Sequence, residues 1–282
     1  MIEVVVVGGG AAGLMAAGRA AELGARVMLL EKTARLGAKL ALTGHGRGNL
    51  AHAGDAASFV EHIAPRGDFM RNALALFPTA KLLAHLRSLG LDTVIEADGR
   101  VYPATQCAAD IVAALHRYCL AGGVEIRTHC AVSGLAVSHG AVCGVRLRGD
   151  ERVEAGAVVL ATGGLSYPKT GSTGDGYGMA EAVGHTVRSP LPGLVPLVLE
   201  ERSISDLKGV SLRDVEAALL RGAAPVARRR GEMLFTHWGV SGPIILSLSL
   251  AAAEALRDGQ LTLSLDLAPD SPSQGGVFAG SL

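Results

Sequence analysis

Gly8, Gly10 and Gly13 fall in the order G-x-G-x-x-G, with Ala11 and Ala12 ahead of the last glycine, and Glu31 closes the next apolar run. Glycines at this spacing let a chain turn sharply, bring backbone close to a pyrophosphate and seat a helix tightly on a sheet. The N–H groups at the start of that helix, with the positive end of its dipole, favour phosphate charge. An acid at the Glu31 position accepts hydrogen bonds from a ribose diol and disfavours a 2′-phosphate. This is chemistry for holding a dinucleotide rather than for attacking a bond.

The elements that must position these residues are legible on either side. Val4–Val7 is a β-branched run typical of a strand covered on both faces, residues 14–23 read as a helix closed by Gly24, and Arg26–Leu30 as a second strand. A nicotinamide dehydrogenase would continue with another helix and strand. Here Lys32–Asn49 makes a long, glycine-rich polar excursion instead, as expected of a loop that wraps an extended cofactor. This favours FAD over NAD. Within it Lys32, Gly37, Lys39, Thr43, Gly44, Arg47 and Asn49 are candidate cofactor residues, with Lys39, Arg47 and Asn49 suited to phosphate or ring polar atoms.

Further along, Val124–Thr128 reads as a strand leading to Val132, whose backbone suits an adenine edge. Ala157–Leu160 is a buried strand ending in Ala161-Thr162-Gly163, which would bring a second glycine turn beside the first. Gly171–Gly176 reads equally as a phosphate cradle or a plain turn cluster. Catalytic candidates are few. His237, His45 and Tyr167 are possible proton donors, against the plain reading of hydrogen-bonded loop residues. Ser241 is no nucleophile elbow, because Pro243 breaks the G-x-S-x-G spacing.

Lys+Arg and Asp+Glu are equal at 26 each, so no global field calls for nucleic acid or an anionic membrane. The Arg228–Arg230 triplet is the tight basic run and reads as solvated surface. The four cysteines are scattered, without metal-ligand spacing, so no metal is expected. The N-terminus lacks a basic signal-peptide region and no apolar stretch reaches membrane length. A cytoplasmic protein acting on a small molecule is the resulting expectation, with oligomeric state open.

Residues 1–187 are expected to form an FAD-binding Rossmann-like domain with a helical segment over 55–90. Ala108–Ala121 is predicted as an amphipathic helix, with hairpins around Asp98-Gly99 and Gly149-Asp150. Pro190, Pro192 and Pro196 mark a boundary, and 188–282 is expected to be a β-rich and helical substrate domain, with Ile244–Leu256 a helix. The fold class is α/β, a two-dinucleotide-binding-domain FAD domain with an inserted β-rich domain. No second G-x-G-x-x-G is present in the sequence, so NAD(P)H would act only as a transient reductant.

Four stretches carry a closer resemblance: Gly8–Gly13 with Glu31-Lys32, Gly37–Asn49, Ala161–Tyr177 with Gly184-His185, and Gly231–Pro243. In them the chain resembles the BaiN/RdsA (YhiN-type) flavoproteins, NAD(P)/FAD-dependent oxidoreductases. The resemblance implies reduction of an unsaturated, enone-like molecule with NAD(P)H. Amine oxidation by oxygen, or an inactive truncated FAD-binding protein, stays open beside it. Gly48 stands where that family commonly has cysteine, which removes a flavin-tuning thiol. The family is also longer, so the 188–282 domain is expected to be incomplete and to lack a flavin-contacting C-terminal segment.

Overall fold

The structure, a computed structural model, describes residues 1–63, 66–270 and 277–282. The chain divides into two units, Met1–Val187 and Arg188–Leu282.

In the first unit, β1 (Val4–Val7) runs through the glycine turn into α1 (Ala11–Glu22) and back along β2 (Val27–Leu30). α1 begins at Ala11 rather than Leu14, because the small residues of the turn are already helical. A small antiparallel sheet follows, built from β3 (Ala51–His52), and completed beyond three helices: α2 (Ala56–His62), α3 (Arg71–Leu76) and α4 (Thr79–Ser88). Asp55 caps α2 by accepting the Ser58 N–H at 2.8 Å. The other strands of that sheet are β4 (Thr93–Ile95) and β5 (Arg100–Pro103), with β5 central. The apolar spacing over Phe69–Phe77 predicts one helix. The chain instead makes a 3-10 turn over Gly67–Met70 before α3, and Phe69 and Leu76 are exposed.

α5 (Ala108–Ala121) packs its Ile111, Ala114, Leu115 and Cys119 against Leu14 and Ala17 of α1 and Val6 of β1. Each large apolar side chain buried there contributes roughly 1.5–3 kcal/mol. β6 (Glu125–Arg127) joins β2 in parallel. A meander of β7 (Val132–Ser138), β8 (Ala141–Leu147) and β9 (Arg152–Glu154) follows. Its Val132, Leu135, Val145, Leu147 and Val153 cover Val5, Val7, Met28 and Leu30 from the opposite face. Successive β1 residues therefore serve two cores, as the period of a strand dictates. β10 (Ala157–Leu160) returns beside β1, giving a parallel sheet in the order β10-β1-β2-β6, and α6 (Asp175–Glu181) follows.

The second unit is a six-stranded antiparallel sheet. Its strands are β11 (Leu197–Val198), β12 (Ser211–Arg221), β13 (Ala224–Phe235) and β14 (Gly239–Ser241), then β15 (Thr262–Asp266) and β16 (Val277–Ser281). They lie in the order β11-β14-β13-β12-β15-β16. Between β14 and β15, α7 (Pro243–Ala255) starts with proline at its first position, where the missing N–H costs nothing. Its Ile244, Ile245 and Leu248 pack with Leu219, Met233, Leu263 and Leu265 of the sheet. The polar, glycine-rich composition of Ser271–Leu282 hides β16, which pairs with β15 from Val277 to Ser281; residues 271–276 lie outside the described set. Among the described residues no helix is long and apolar enough to cross a membrane.

Candidate functional site

β1 and β10 end side by side, Val7 opposite Leu160, and each runs into a glycine turn. The two turns touch. A Cβ on Gly8, at φ +106°, would fall 2.5 Å from the Ala161 carbonyl oxygen, and one on Gly13 would fall 1.8 Å from that of Gly8. Gly10 differs, since nothing lies within 4 Å of a Cβ there. The open space belongs to a cavity of about 490 Å³ in the first unit, within the size range of small-molecule sites.

α1 has no side-chain cap and no acid in its first turn. Among the described residues its first N–H groups therefore lack a side-chain acceptor, beside a cavity that Gly10, Ala11 and Ala12 line. Glu31, at the tip of β2, is buried at 9% exposure. Its Oε2 accepts the Gly9 N–H at 2.8 Å and its Oε1 the Thr33 N–H at 2.7 Å. The carboxylate thus braces the glycine turn, and with about four lone-pair directions it retains acceptor capacity toward the cavity it lines.

Lys32 Nζ sits 2.5 Å from both Asp175 Oδ2 and Thr173 Oγ1. Burial pushes the Asp175 carboxyl up, but the hydrogen bonds from Lys32 and Thr173 and the charges of Lys32 and Arg148 outweigh it, holding that group below the ordinary carboxylate range. Lys39 has no carboxylate within ion-pair reach among the described residues; its Nζ lies 3.3 Å from Ser166 Oγ. Gly37, Lys39 and Thr43 line the cavity from the excursion after β2, Val132 from the start of β7, and Ala161, Thr162 and Gly163 from the second turn.

Gly44, His45, Arg47 and Asn49 are not among the lining residues. The excursion is not an open loop there. It forms 3-10 turns within Leu40–Gly46, broken by non-helical backbone at Thr43, Gly44 and His45. Arg47 pairs with Glu96, donates to Gln106 Oε1 at 2.8 Å and lies 4.0 Å above the Tyr102 ring. Asn49 and His45 are exposed, as is Tyr167. His237 is exposed on the turn after β13 in the second unit, its ring 6.4 Å from that of Trp238.

The cavity also takes in Ser172 and Asp175 of the Gly171–Gly176 cluster, and Arg35, Cys130 and Met179, which the sequence alone does not single out. Cys130 stands two residues before Val132 on the same approach to β7, a proximity that points to it. The pairing of Asp175 with Lys32 carries no such mark, because the two are 143 residues apart in the chain.

A glycine turn, a helix start and an acid-tipped second strand on a parallel sheet define a Rossmann-like dinucleotide-binding protein. The HI0933-like protein Rossmann domain family matches residues 2–279, and the chain belongs to that family. It is similar to the 3-dehydro-bile acid delta(4,6)-reductase of Clostridium scindens, with 33% identity over 96% of this chain and 65% of that protein. It is also similar to the ribosomal RNA dihydrouridine synthase of Escherichia coli K12, with 28% identity over 95% of this chain and 64% of that protein. The chain thus spans just under two thirds of the length of either relative. Among solved structures, it matches an open flavocytochrome c3 fumarate reductase (TM-score 0.52, 22% identity, 75% of this chain and 47% of that one). It also matches the 3-ketosteroid-delta4-(5alpha)-dehydrogenase of Rhodococcus jostii RHA1 (TM-score 0.54, 18% identity, 93% and 65%). At these identities the two likenesses establish a shared fold.

Proposed function

We propose that the first unit binds FAD and that the protein is an FAD-dependent oxidoreductase reducing an unsaturated, enone-like small molecule with NAD(P)H as electron donor. One observation carries the reading: a buried carboxylate braces the glycine turn at the same cavity where the uncapped start of α1 leaves N–H donors free. The pyrophosphate would lie against Gly10, Ala11 and Ala12, and the ribose hydroxyls against Glu31. FAD is favoured over NAD because Lys39, Thr43 and the Ala161–Gly163 turn line that same cavity, more polar contact than an adenosine half alone requires.

FAD, when bound, supplies the two-electron redox chemistry. The chain's part is to bind, to orient and to exclude water. Lys39 brings an ammonium without a carboxylate partner among the described residues, suited to phosphate or to ring oxygen. The enone class follows from the 3-dehydro-bile acid relative, whose name describes a reduction. His45 and His237 are the candidate proton donors, and both are exposed.

The ribosomal RNA relative raises a different substrate. The Arg228–Arg230 run of β13 is a poor phosphate track, since much of its charge is taken. Arg230 forks onto Asp214 at 2.7 and 2.8 Å and also pairs with Asp270, while Arg228 lies 3.5 Å from Glu216. That run therefore lends no support to an RNA substrate, and the small-molecule reading rests on the cavity of the first unit.

The test is an absorbance spectrum of the purified full chain after FAD loading and gel filtration, followed by anaerobic NADH or NADPH. A retained flavin band that bleaches is the expected result. A chain that takes up no flavin would overturn the reading. Retained flavin that neither nucleotide bleaches would leave FAD binding standing and remove the NAD(P)H donor.

A further inference from the structure

A groove of about 530 Å³ runs along β7 and α6 in the first unit. It meets the dinucleotide cavity at Val132, Asp175 and Met179, which line both. Its charge is its own. Arg146 and Arg148 stand two residues apart on β8 and its extension, so they project from one face, opposite the buried Val145 and Leu147. Neither guanidinium has a salt bridge or a side-chain hydrogen bond among the described residues, whereas Arg127 on β6 pairs with both Glu125 and Glu151. The one carboxylate among the described lining residues, Asp175, is already engaged by Lys32 and Thr173.

The backbone accommodates this arrangement. Gly134 is the ladder partner of Arg146, and a Cβ there would come 2.9 Å from Arg146 Nη2. The missing side chain gives the guanidinium room over the strand. Beside the two cations the groove offers apolar surface from Leu135, Val137, Ala182 and Val183. Two like charges on one face repel each other, and Asp175, which feels the Arg148 charge but is bonded to Lys32 and Thr173, offsets only part of that. A dianion accepted by two planar forks removes that repulsion and makes charge-assisted hydrogen bonds.

We infer that this groove binds a small phosphorylated ligand, a nucleoside di- or triphosphate, with Arg146 and Arg148 on its phosphates and the apolar wall against its base. That such a ligand would sit beside the adenosine half of a bound dinucleotide rests on the FAD reading above. The anion site itself does not. Apart from Asp175, the groove's charged residues are not those that line the dinucleotide cavity, so the ligand is a second one beside the flavin, an effector carrying phosphate.

The experiment titrates ADP, and separately pyrophosphate, into the FAD-loaded full chain at low salt by calorimetry. The variants are the double Arg146→Ala/Arg148→Ala, Gly134→Ala, and Arg229→Ala as a control for general attraction of anions. Among the described residues Arg229 donates only to the Arg228 carbonyl. The expected result is at least tenfold weaker ADP binding in the double variant and an intermediate loss in Gly134→Ala. Arg229→Ala should bind as the parent, with equal flavin content and equal far-ultraviolet circular dichroism throughout. Flavin content is read separately by absorbance, so loss of the FAD reading is told apart from loss of this one. If the chain takes up no flavin, the arginine variants are titrated in the Gly10→Val background, so that ADP bound at the glycine turn is told apart from ADP in the groove. ADP affinity unchanged in the double variant, or no ADP binding by the parent at millimolar concentration, overturns the proposal. So does a single-stranded RNA oligomer that binds through these arginines where ADP does not.

Discussion

The parallel sheet of the first unit ends at a cavity, while the antiparallel sheet of the second packs its core residues against α7. The difference shows in how each unit treats its buried polar groups. In the second unit Ser249, at 1% exposure, accepts the Val195 N–H at 3.2 Å and donates to the Leu246 carbonyl at 2.8 Å, so its hydroxyl is used up internally. In the first unit Glu31 is also bonded to backbone, yet it lines open space, and the helix start next to it has no side-chain acceptor. Proteins rarely leave buried donors and acceptors unsatisfied without a reason. Ser249 spends its hydroxyl on the protein itself, although Glu201 Oε2 in the same unit is buried without a partner among the described residues, whereas the polar groups at the end of the parallel sheet face a cavity that can take a ligand.

The largest effect that sharpens this contrast is expected from the second unit's core. Leu263 is fully buried on β15, and Leu263→Ala should cost about 2–5 kcal/mol. Hydrogen exchange would read this as lost protection in β12 and β15, with flavin content unchanged under native conditions. Loss of flavin in step with that protection would show that the cavity depends on this core and erase the contrast. A pair of substitutions in the glycine turn comes next. Gly13→Ala drives a methyl into the Gly8 carbonyl, a backbone atom with nowhere to move, and should cost about 1–3 kcal/mol or more. Gly10→Val meets nothing within 4 Å at its Cβ. It should keep the parent's urea midpoint while lowering FAD affinity at least tenfold, by filling the cradle. A Gly10→Val chain that loads flavin normally would place the dinucleotide elsewhere.

How much of this was legible in the sequence depended on whether a pattern was local. β1, β2, β10 and α5 announce themselves through apolar runs and periodicity, and Gly24 at φ +92° ends α1 as its position suggests. The hairpins at Asp98-Gly99 and Gly149-Asp150 follow from turn residues alone. β13 was not visible, because its middle is the arginine triplet, whose side chains point to water and pairs of acids rather than into a core. At the site, the glycines and Glu31 can be read from spacing. Arg47 cannot be assigned that way. Its neighbours Glu96 and Tyr102 are distant in sequence, and they already engage its guanidinium. Asp175 and Lys32 illustrate the same limit from the other side.

That Lys32–Asp175 pair gives the smallest predicted effect and the most specific one. Its side chains are 27% and 33% exposed, so a contribution of about 1 kcal/mol is expected rather than several. The sign follows from the direction of the shift. A carboxyl held low in the folded state stabilises the fold above its unfolded pKa, about 3.9 for aspartate, and that stability is lost as pH falls through the lower, folded value. Asp175→Asn should therefore lower the urea midpoint at pH 7, and the gap to the parent should close as the medium is acidified below the ordinary aspartate range. Urea titrations at pH 7, 5 and 3 measure it. A gap of equal size at all three values would mean that Asp175 acts through shape and hydrogen bonding instead of charge. The cavity rim would then be packed in the manner of the second unit, with Lys32 free to be spent on a ligand only by breaking structure.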